Sequence, residues 1–350
     1  MTILTIGMPL KNSSKYLREA IDSVIQQSFK DWVLLAVDDN STDSTPEIIE
    51  EYAKIDSRIH LVRFDGPGVS QMENWNRIIN LAESKYISIF HDDDIMAPHL
   101  LEQELKMIES HSDMVMVFAQ GPFINAEGEF IKTEVGTIRR KPSWMDSRVF
   151  SQGELGPLLL LRGFIHASSV MLKVETAKSI PLFSEEFSFF FDIDYWIRIG
   201  DCGKVGYVPG DLIYYRIRAG SAMHKCWIRG TNFHDAKNIF EKMMQKWEWD
   251  SIKRKSFAQL FYRAHAGMAL NAARNARSEG DFETMRLQVA ICLTQAHMGN
   301  QSIARWIAKW WSRKLGQGRK IELIFSIFTS LPLIKMKLYI HYTKNLENLA

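Results

Sequence analysis

Four short apolar runs open the chain at near-regular intervals: Ile3 to Leu10, Trp32 to Val37, Ile59 to Phe64 and Tyr86 to Phe90. Each is rich in β-branched and aromatic residues, and each reads as a buried strand. Between them the apolar spacing changes to that of a helix. Leu17, Ala20, Ile21, Val24 and Ile25 share one face after Ser13 or Ser14, either of which can cap the first helix. Ile48, Ile49 and Tyr52 mark a second helix over 44–54. Met72, Trp75, Ile78, Ile79 and Ala82 mark a third over 70–82. Strand and helix alternate for ninety residues, which predicts an α/β architecture: a mostly parallel sheet with helices on both faces.

Such sheets bind ligands in the crevice beyond the carboxyl ends of their strands. Asp38, Asp39, Asp92, Asp93 and Asp94 all fall at predicted strand ends. Three consecutive aspartates repel one another unless a cation lies among them.

Patterning weakens between about residues 105 and 181, where MVMVFA and HASSVML read as further strands separated by loops. FSFFFDIDYWIRIG (187–200) predicts an aromatic stretch running into a short helix from about Asp194, and 207–215 another strand. From about Lys225 the chain turns helical, with 261–280 and 281–297 reading as an antiparallel pair joined at Gly280-Asp281. The predicted organisation is therefore a domain over 1–224 and a helical region over 225–350.

Net charge is only +2, which argues against a general nucleic-acid binder. The basic groups are unevenly spread, with nine Lys or Arg against two Glu from Asn300 onward. Trp306, Trp310 and Trp311 lie there among Arg305, Lys309, Arg313 and Lys314, a pattern suited to an anionic membrane surface or to a packed helical cap with a solvated basic face. Cys202, Cys226 and Cys292 have no CxxC spacing, so a reducing compartment is expected. The opening residues do not read as a signal peptide, and no run reaches the ~18 apolar residues of a spanning helix. The expected location is cytoplasmic, with peripheral attachment to the inner face of the membrane.

Three stretches taken together resemble family 2 glycosyltransferases of the GT-A fold, inverting enzymes of bacterial polysaccharide type. GMPLKNSSKYLREAIDSVIQQSFKDWVLLAVDDNSTDST resembles the family's first β-α-β unit. SKYISIFHDDDIMAP resembles its DxD region, and FDIDYWIRIGDCG with LIYYRIRAGS its late acidic motif and following strand. The resemblance spans roughly residues 1–221.

It implies a nucleotide-diphosphate sugar donor, UDP-linked by preference, and a glycan or lipid-linked glycan acceptor. It also implies Mg²⁺ or Mn²⁺ beside the acidic cluster, a hard cation suited to carboxylate and phosphate oxygens. By position, Asp93 is the implied metal ligand. Pro9, Lys11, Asp39, Asp92, Asp94 and Arg218 are implied donor contacts, with Asp39 toward the base and Pro9 at its floor. Asp192 falls at the catalytic base, with Asp194 its neighbouring rival; an inverting transfer needs a carboxylate within reach of the acceptor hydroxyl.

The chain departs from the family at four places: Lys11 where a Tyr is usual, His91 at the first Asp of DxD, Phe191 before the base, and Arg218 where a His is common. His224 is near enough in sequence to substitute. A non-catalytic nucleotide-sugar or glycan-binding relative is the alternative these departures keep open. A nucleotidyltransferase or phosphatase is disfavoured, because the chain has neither GxxxxGK[ST] nor DxDxT.

Overall fold

The computed structural model describes residues 2–64, 67–131, 148–161, 163–218 and 231–278, with a few positions between 281 and 295. The chain divides into two compact units, Met1–His224 and Lys225–Ala350.

The first unit opens as its periodicity predicts. β1 (Leu4–Leu10), α1 (Leu17–Ile25), β2 (Trp32–Asp38), α2 (Thr45–Ile55), β3 (Ile59–Arg63), α3 (Gln71–Leu81) and β4 (Tyr86–Ile89) follow in order. β1 is buried along almost its whole length because it lies between β2 and β4, parallel to both. Helix α3 packs hard against it: a Cβ on Gly7 would stand 2.0 Å from Ile78 Cγ2. Ser70 caps α3, its hydroxyl accepting the Glu73 N–H at 3.1 Å.

Helix α1 differs from expectation. Its N-cap is Tyr16, and no side chain caps it. Ser13 and Ser14 instead donate their backbone N–H groups to Thr45 and Asp43, lacing the loop after β1 to the loop after β2.

The chain then adds β5 (Ile95–Met96), α4 (Leu100–Glu109), β6 (Met114–Gln120), β7 (Phe123–Ile124), β8 (Val149–Phe150) and α5 (Leu155–Leu161). A 3₁₀ turn (Ala167–Ser169) leads to β9 (Val170–Lys173), α6 (Val174–Ser179), α7 (Phe191–Gly200), β10 (Lys204–Asp211) and β11 (Ile213–Arg216). The main sheet runs β3-β2-β1-β4-β9-β6-β10-β8. β9 lies antiparallel to both β4 and β6, and β6 and β10 pair in parallel. A small second sheet, β5-β11-β7, ties the segment after Asp94 to the start of β11 and Phe123–Ile124 to its end.

Helices α5 and α6 fall where loops and strands were expected, and α4, which starts at Leu100, runs into the beginning of that stretch. LGPLLLL of α5 is a short apolar run whose period is unreadable, and such runs do not distinguish strand from helix. Helix α4 buries Leu100, Leu101, Leu105 and Ile108, and also Glu104. Neither Glu104 carboxyl oxygen has a hydrogen-bond partner among the described residues. Burial pushes that carboxyl well above the usual range, so a neutral acid sits in the core.

In the second unit, α8 (Thr231–Lys246) and α9 (Ser251–Ser278) pack through aromatic rings. Phe240 stacks on Phe261 with centroids 4.2 Å apart, and Trp247 on Trp249 at 4.7 Å. The second arm of the expected helical pair lies largely outside the described residues, and the tryptophan-bearing basic segment lies wholly outside them. Among the described residues, no helix is long and apolar enough to cross a membrane.

Candidate active site

The order β3-β2-β1-β4 puts a topological switch point at β1, where the chain stops adding strands on one side and begins on the other. Ligand crevices open at the carboxyl ends of strands flanking such a point. Here those ends carry Lys11 after β1, Asp39 after β2 and His91 to Asp94 after β4.

The loops after β1 and β2 are locked together by asparagines in the left-handed region, Asn12 at φ 53° and Asn40 at φ 54°. The Asn12 side-chain oxygen accepts the Thr42 N–H at 2.9 Å, while its own N–H reaches Ser41 Oγ at 2.8 Å. The two aspartates at the end of β2 then separate by role. Asp38 is buried, accepts the Ser41 N–H and pairs with Arg63 at 3.3 Å. Asp39 receives Lys11 Nζ at 2.7 Å on one oxygen and the Val69 N–H at 2.8 Å on the other. Pro9, the penultimate residue of β1, is in register with Val37; β1's pairing to β4 has already ended at Gly7, so its missing N–H costs no bond on that side.

The second cluster is denser. Asp94 is fully buried, with one oxygen accepting the Ser168 hydroxyl and the other the Arg216 N–H at 2.9 Å. Burial and the neighbouring Asp93 charge push its carboxyl well above the usual range. The same causes, in the same order, raise Asp92 to about 6. Asp93 receives Arg218 Nε at 2.8 Å, so a guanidinium is one cation among the aspartates.

Arg216 is the main participant that sequence reasoning missed. Its Nε donates to the Asp93 carbonyl at 2.8 Å, its Nη1 to the Asn125 carbonyl at 3.0 Å, and its Nη2 to Glu19. Tyr16 lies beside both arginines, with its ring 4.5 Å from the Arg216 guanidinium and 6.0 Å from that of Arg218. An arginine closing a predicted strand was the available signal for Arg216. Ser168 gave none.

Helix α7 begins at Phe191, three residues before the expected start, so Asp192 lies in its first turn. Asp192 Oδ1 accepts the Ile193 N–H at 2.8 Å. Asp194 is buried and bound within the helix to Arg198 at 2.8 Å; Arg198 in turn donates to the Pro181 and Leu182 carbonyls. Phe191, the departure beside Asp192, is buried against Trp75 at 5.1 Å between ring centroids. Trp75 also holds the His91 ring at 5.2 Å, so one indole touches both acidic stretches. Tyr215 responds to both as well. Its hydroxyl is raised first by burial, then by Asp94, Asp93 and Asp192. The structure thus brings Asp92, Asp93, Asp94, Asp192 and Arg218 into one neighbourhood, with Lys11 and Asp39 beyond the adjacent strand ends. His224 lies outside the described residues.

The residues present fit a divalent cation. His91, Asp93 and Asp94 each offer a ligand atom, all within 4.8 Å of one another. His91 Nδ1 stands 3.7 Å from Asp94 Oδ2, and its Nε2 is buried without a hydrogen-bond partner among the described residues. Both Asp94 oxygens already accept hydrogen bonds, which leaves Asp93 and His91 as the freer pair.

Known proteins resemble this chain in sequence and in fold. Residues 5–154 match the model of the family described as Glycosyl transferase family 2. Residues 5–154 are a glycosyltransferase family 2 domain. An uncharacterized glycosyltransferase of Methanocaldococcus jannaschii is 30% identical over 208 residues, 58% of this chain and 66% of that protein. The putative teichuronic acid biosynthesis glycosyltransferase TuaG of Bacillus subtilis is 31% identical over 113 residues, 31% of this chain and 43% of its own length. The chain thus spans between two fifths and two thirds of these two relatives.

Among solved structures, S. aureus TarS 1–349 in complex with UDP-GlcNAc superposes with a TM-score of 0.62 at 15% identity, over 92% of this chain and 89% of that one. The mannosyltransferase PcManGT of Pyrobaculum calidifontis, in complex with GDP-Man and Mn²⁺, gives 0.56 at 13% identity over 97% and 86%. At these identities the likeness is one of fold. This glycosyltransferase has the GT-A architecture: a mostly parallel sheet with helices, followed by further helices.

Proposed function

We propose that this family 2 enzyme is an inverting, metal-dependent glycosyltransferase that moves a sugar from a nucleotide-diphosphate sugar to a glycan or lipid-linked glycan. The observation that carries this reading is that Trp75 packs on both His91 and Phe191, which brings Asp93 and its partner Arg218 to the start of α7, where Asp192 lies. An acidic metal cluster, a diphosphate partner and a base for the acceptor all lie within one neighbourhood. The names of the similar proteins support the donor class: TarS with UDP-GlcNAc, PcManGT with GDP-Man and Mn²⁺. TuaG, named for teichuronic acid biosynthesis, supports a polysaccharide acceptor.

In this reading the nucleotide lies over the ends of β1 and β2. Asp39 accepts from the base, Pro9 forms the floor, and Lys11 supplies a cation where other members have an aromatic ring. Asp92 and Asp94 shape the ribose and phosphate side of the crevice, and Arg218 pairs with the diphosphate. Asp93 and His91 would hold Mg²⁺ or Mn²⁺, which as a Lewis acid neutralises charge on the departing diphosphate.

Asp192 orients the acceptor hydroxyl and takes its proton as the oxygen attacks the anomeric carbon. The new glycosidic bond forms as the bond from that carbon to the diphosphate oxygen breaks. Its electron pair leaves with the nucleoside diphosphate, and the anomeric configuration inverts. The enzyme works at the cytoplasmic face of a membrane, where the basic tryptophan-bearing segment meets anionic lipid.

The test is product analysis by proton NMR with α-linked UDP- and GDP-sugars. A β-linked product formed together with free nucleoside diphosphate is expected. An α-linked product would contradict inversion and the role given to Asp192.

A further inference from the structure

The Asp93 carboxylate has two claimants. It is a member of the only group of three among the described residues that could hold a metal, and it is also the ion-pair partner of Arg218 at 2.8 Å. Its partner carboxylate in that group is the less free of the two. Asp94 spends one oxygen on the Ser168 hydroxyl and the other on the Arg216 N–H, both inside the fold. A cation approaching the cluster therefore meets a carboxylate already neutralised, with a second positive charge beside it.

Arg218 is held less firmly than its neighbour. Arg216 is buried and donates into four acceptors on three separate segments, the Asp93, Asn125 and Ala126 carbonyls and Glu19. Arg218 is 39% exposed, two residues beyond the end of β11. Its bond to Asp93 uses one of the five N–H donors of a guanidinium. Tyr16, at 6.0 Å from the guanidinium carbon, is near enough to favour a cation there without fixing it in one place. A part-exposed ion pair of this kind is weak, whereas a diphosphate offers several charged oxygens in the geometry that a guanidinium grips two at a time.

We propose that Arg218 and the divalent cation compete for Asp93, and that a donor diphosphate relieves the competition by taking Arg218 as its own partner. The proposal rests on the donor-site reading above and adds to it an order of events. The metal gains its carboxylate when the diphosphate arrives, so the two bind together more strongly than either does alone. Linkage makes the gain reciprocal: nucleotide raises metal affinity by the factor by which metal raises nucleotide affinity. Part of that factor comes from direct metal–phosphate contact in any such site. The part that belongs to Arg218 is the part its removal abolishes.

The experiment titrates Mn²⁺ into the full chain and follows free Mn²⁺ by its electron paramagnetic resonance signal, with and without UDP or GDP. Wild type is compared with Arg218→Gln and Arg218→Lys. With Mn²⁺ alone, Arg218→Gln should bind more tightly than wild type by up to about fivefold, the upper range for loss of a part-exposed competing ion pair. The further gain on adding nucleotide should shrink by a similar factor. Arg218→Lys, which keeps the charge, should remain near wild type with Mn²⁺ alone. Because the side chain is part-exposed, thermal melting of both variants should match wild type and exclude misfolding as the cause.

Unchanged Mn²⁺ affinity in Arg218→Gln, with nucleotide coupling intact, would overturn the proposal and leave the donor site standing. No binding of Mn²⁺ or of either nucleotide to any of the three proteins would overturn the donor-site reading, and this proposal with it.

Discussion

Replacing Asp192 with Asn should lower kcat by about 10²- to 10⁴-fold, the usual contribution of a general base, while leaving nucleotide affinity within about twofold of wild type. The amide keeps the size of the carboxyl but cannot take a proton. Asp192 lies in the first turn of α7, where its oxygen meets the neighbouring Ile193 N–H, and it belongs to the group of carboxylates that raises Tyr215. Asp194 is the control. It is buried and tied to Arg198, which also braces the Pro181 and Leu182 carbonyls. Asp194→Asn should therefore lower thermal stability and spare the chemistry of whatever folded protein remains. Steady-state rates and melting curves on both variants check this. Loss of turnover in Asp194→Asn at an unchanged melting temperature would exchange the two assignments.

The second large effect is on stability. Arg216→Leu should cost about 3–5 kcal/mol, as when one partner leaves a buried charged network. In a unit of this size, that lowers the melting temperature by roughly 10 °C. Three carbonyl oxygens, of Asp93, Asn125 and Ala126, would lose a charged donor at once, and Glu19 would lose its ion pair. The damage should extend to the site, because the Asp93 carbonyl is one of the three. Calorimetry gives the stability, and the same preparation should bind Mn²⁺ and nucleotide more weakly. A melting temperature within 2 °C or so of wild type would show that Arg216 is not the brace its bonds describe.

The first ninety residues were legible because their elements are local. A buried strand between two parallel neighbours has to be apolar throughout, and a helix lying on it has to present one apolar face, so β1 through β4 are written in the spacing of Ile, Val, Leu and Trp. Strand ends were legible for the same reason, and with them Asp39 and Asp92 to Asp94. The middle of the unit was harder. Helix α5 is apolar on every side of its seven residues and carries no period. β9 enters the sheet antiparallel between β4 and β6, a long-range pairing without local signature.

The resemblance supplied Asp192 and Arg218 as candidates. It did not foretell the ion pair between Arg218 and Asp93, nor that between Lys11 and Asp39, because each joins residues far apart in the chain. Arg216 and Ser168 were invisible for a related reason. They act on Asp93 and Asp94 from segments more than seventy residues downstream, and only the closed fold puts them there.

The central claim is that the acidic cluster holds a cation for a nucleotide diphosphate, and a thermal-shift panel tests it most directly. UDP, GDP, CDP and dTDP are each added with and without Mn²⁺, to wild type and to Asp93→Asn. A nucleotide at about 100 times its dissociation constant adds ~2.7 kcal/mol, or about 5–10 °C in a unit of this size. Such a shift is expected for one nucleotide, UDP first, requiring Mn²⁺ in wild type and lost in Asp93→Asn. No shift with any nucleotide, or a shift indifferent to both Mn²⁺ and Asp93, would contradict it and favour a relative of the fold that does not use this cluster.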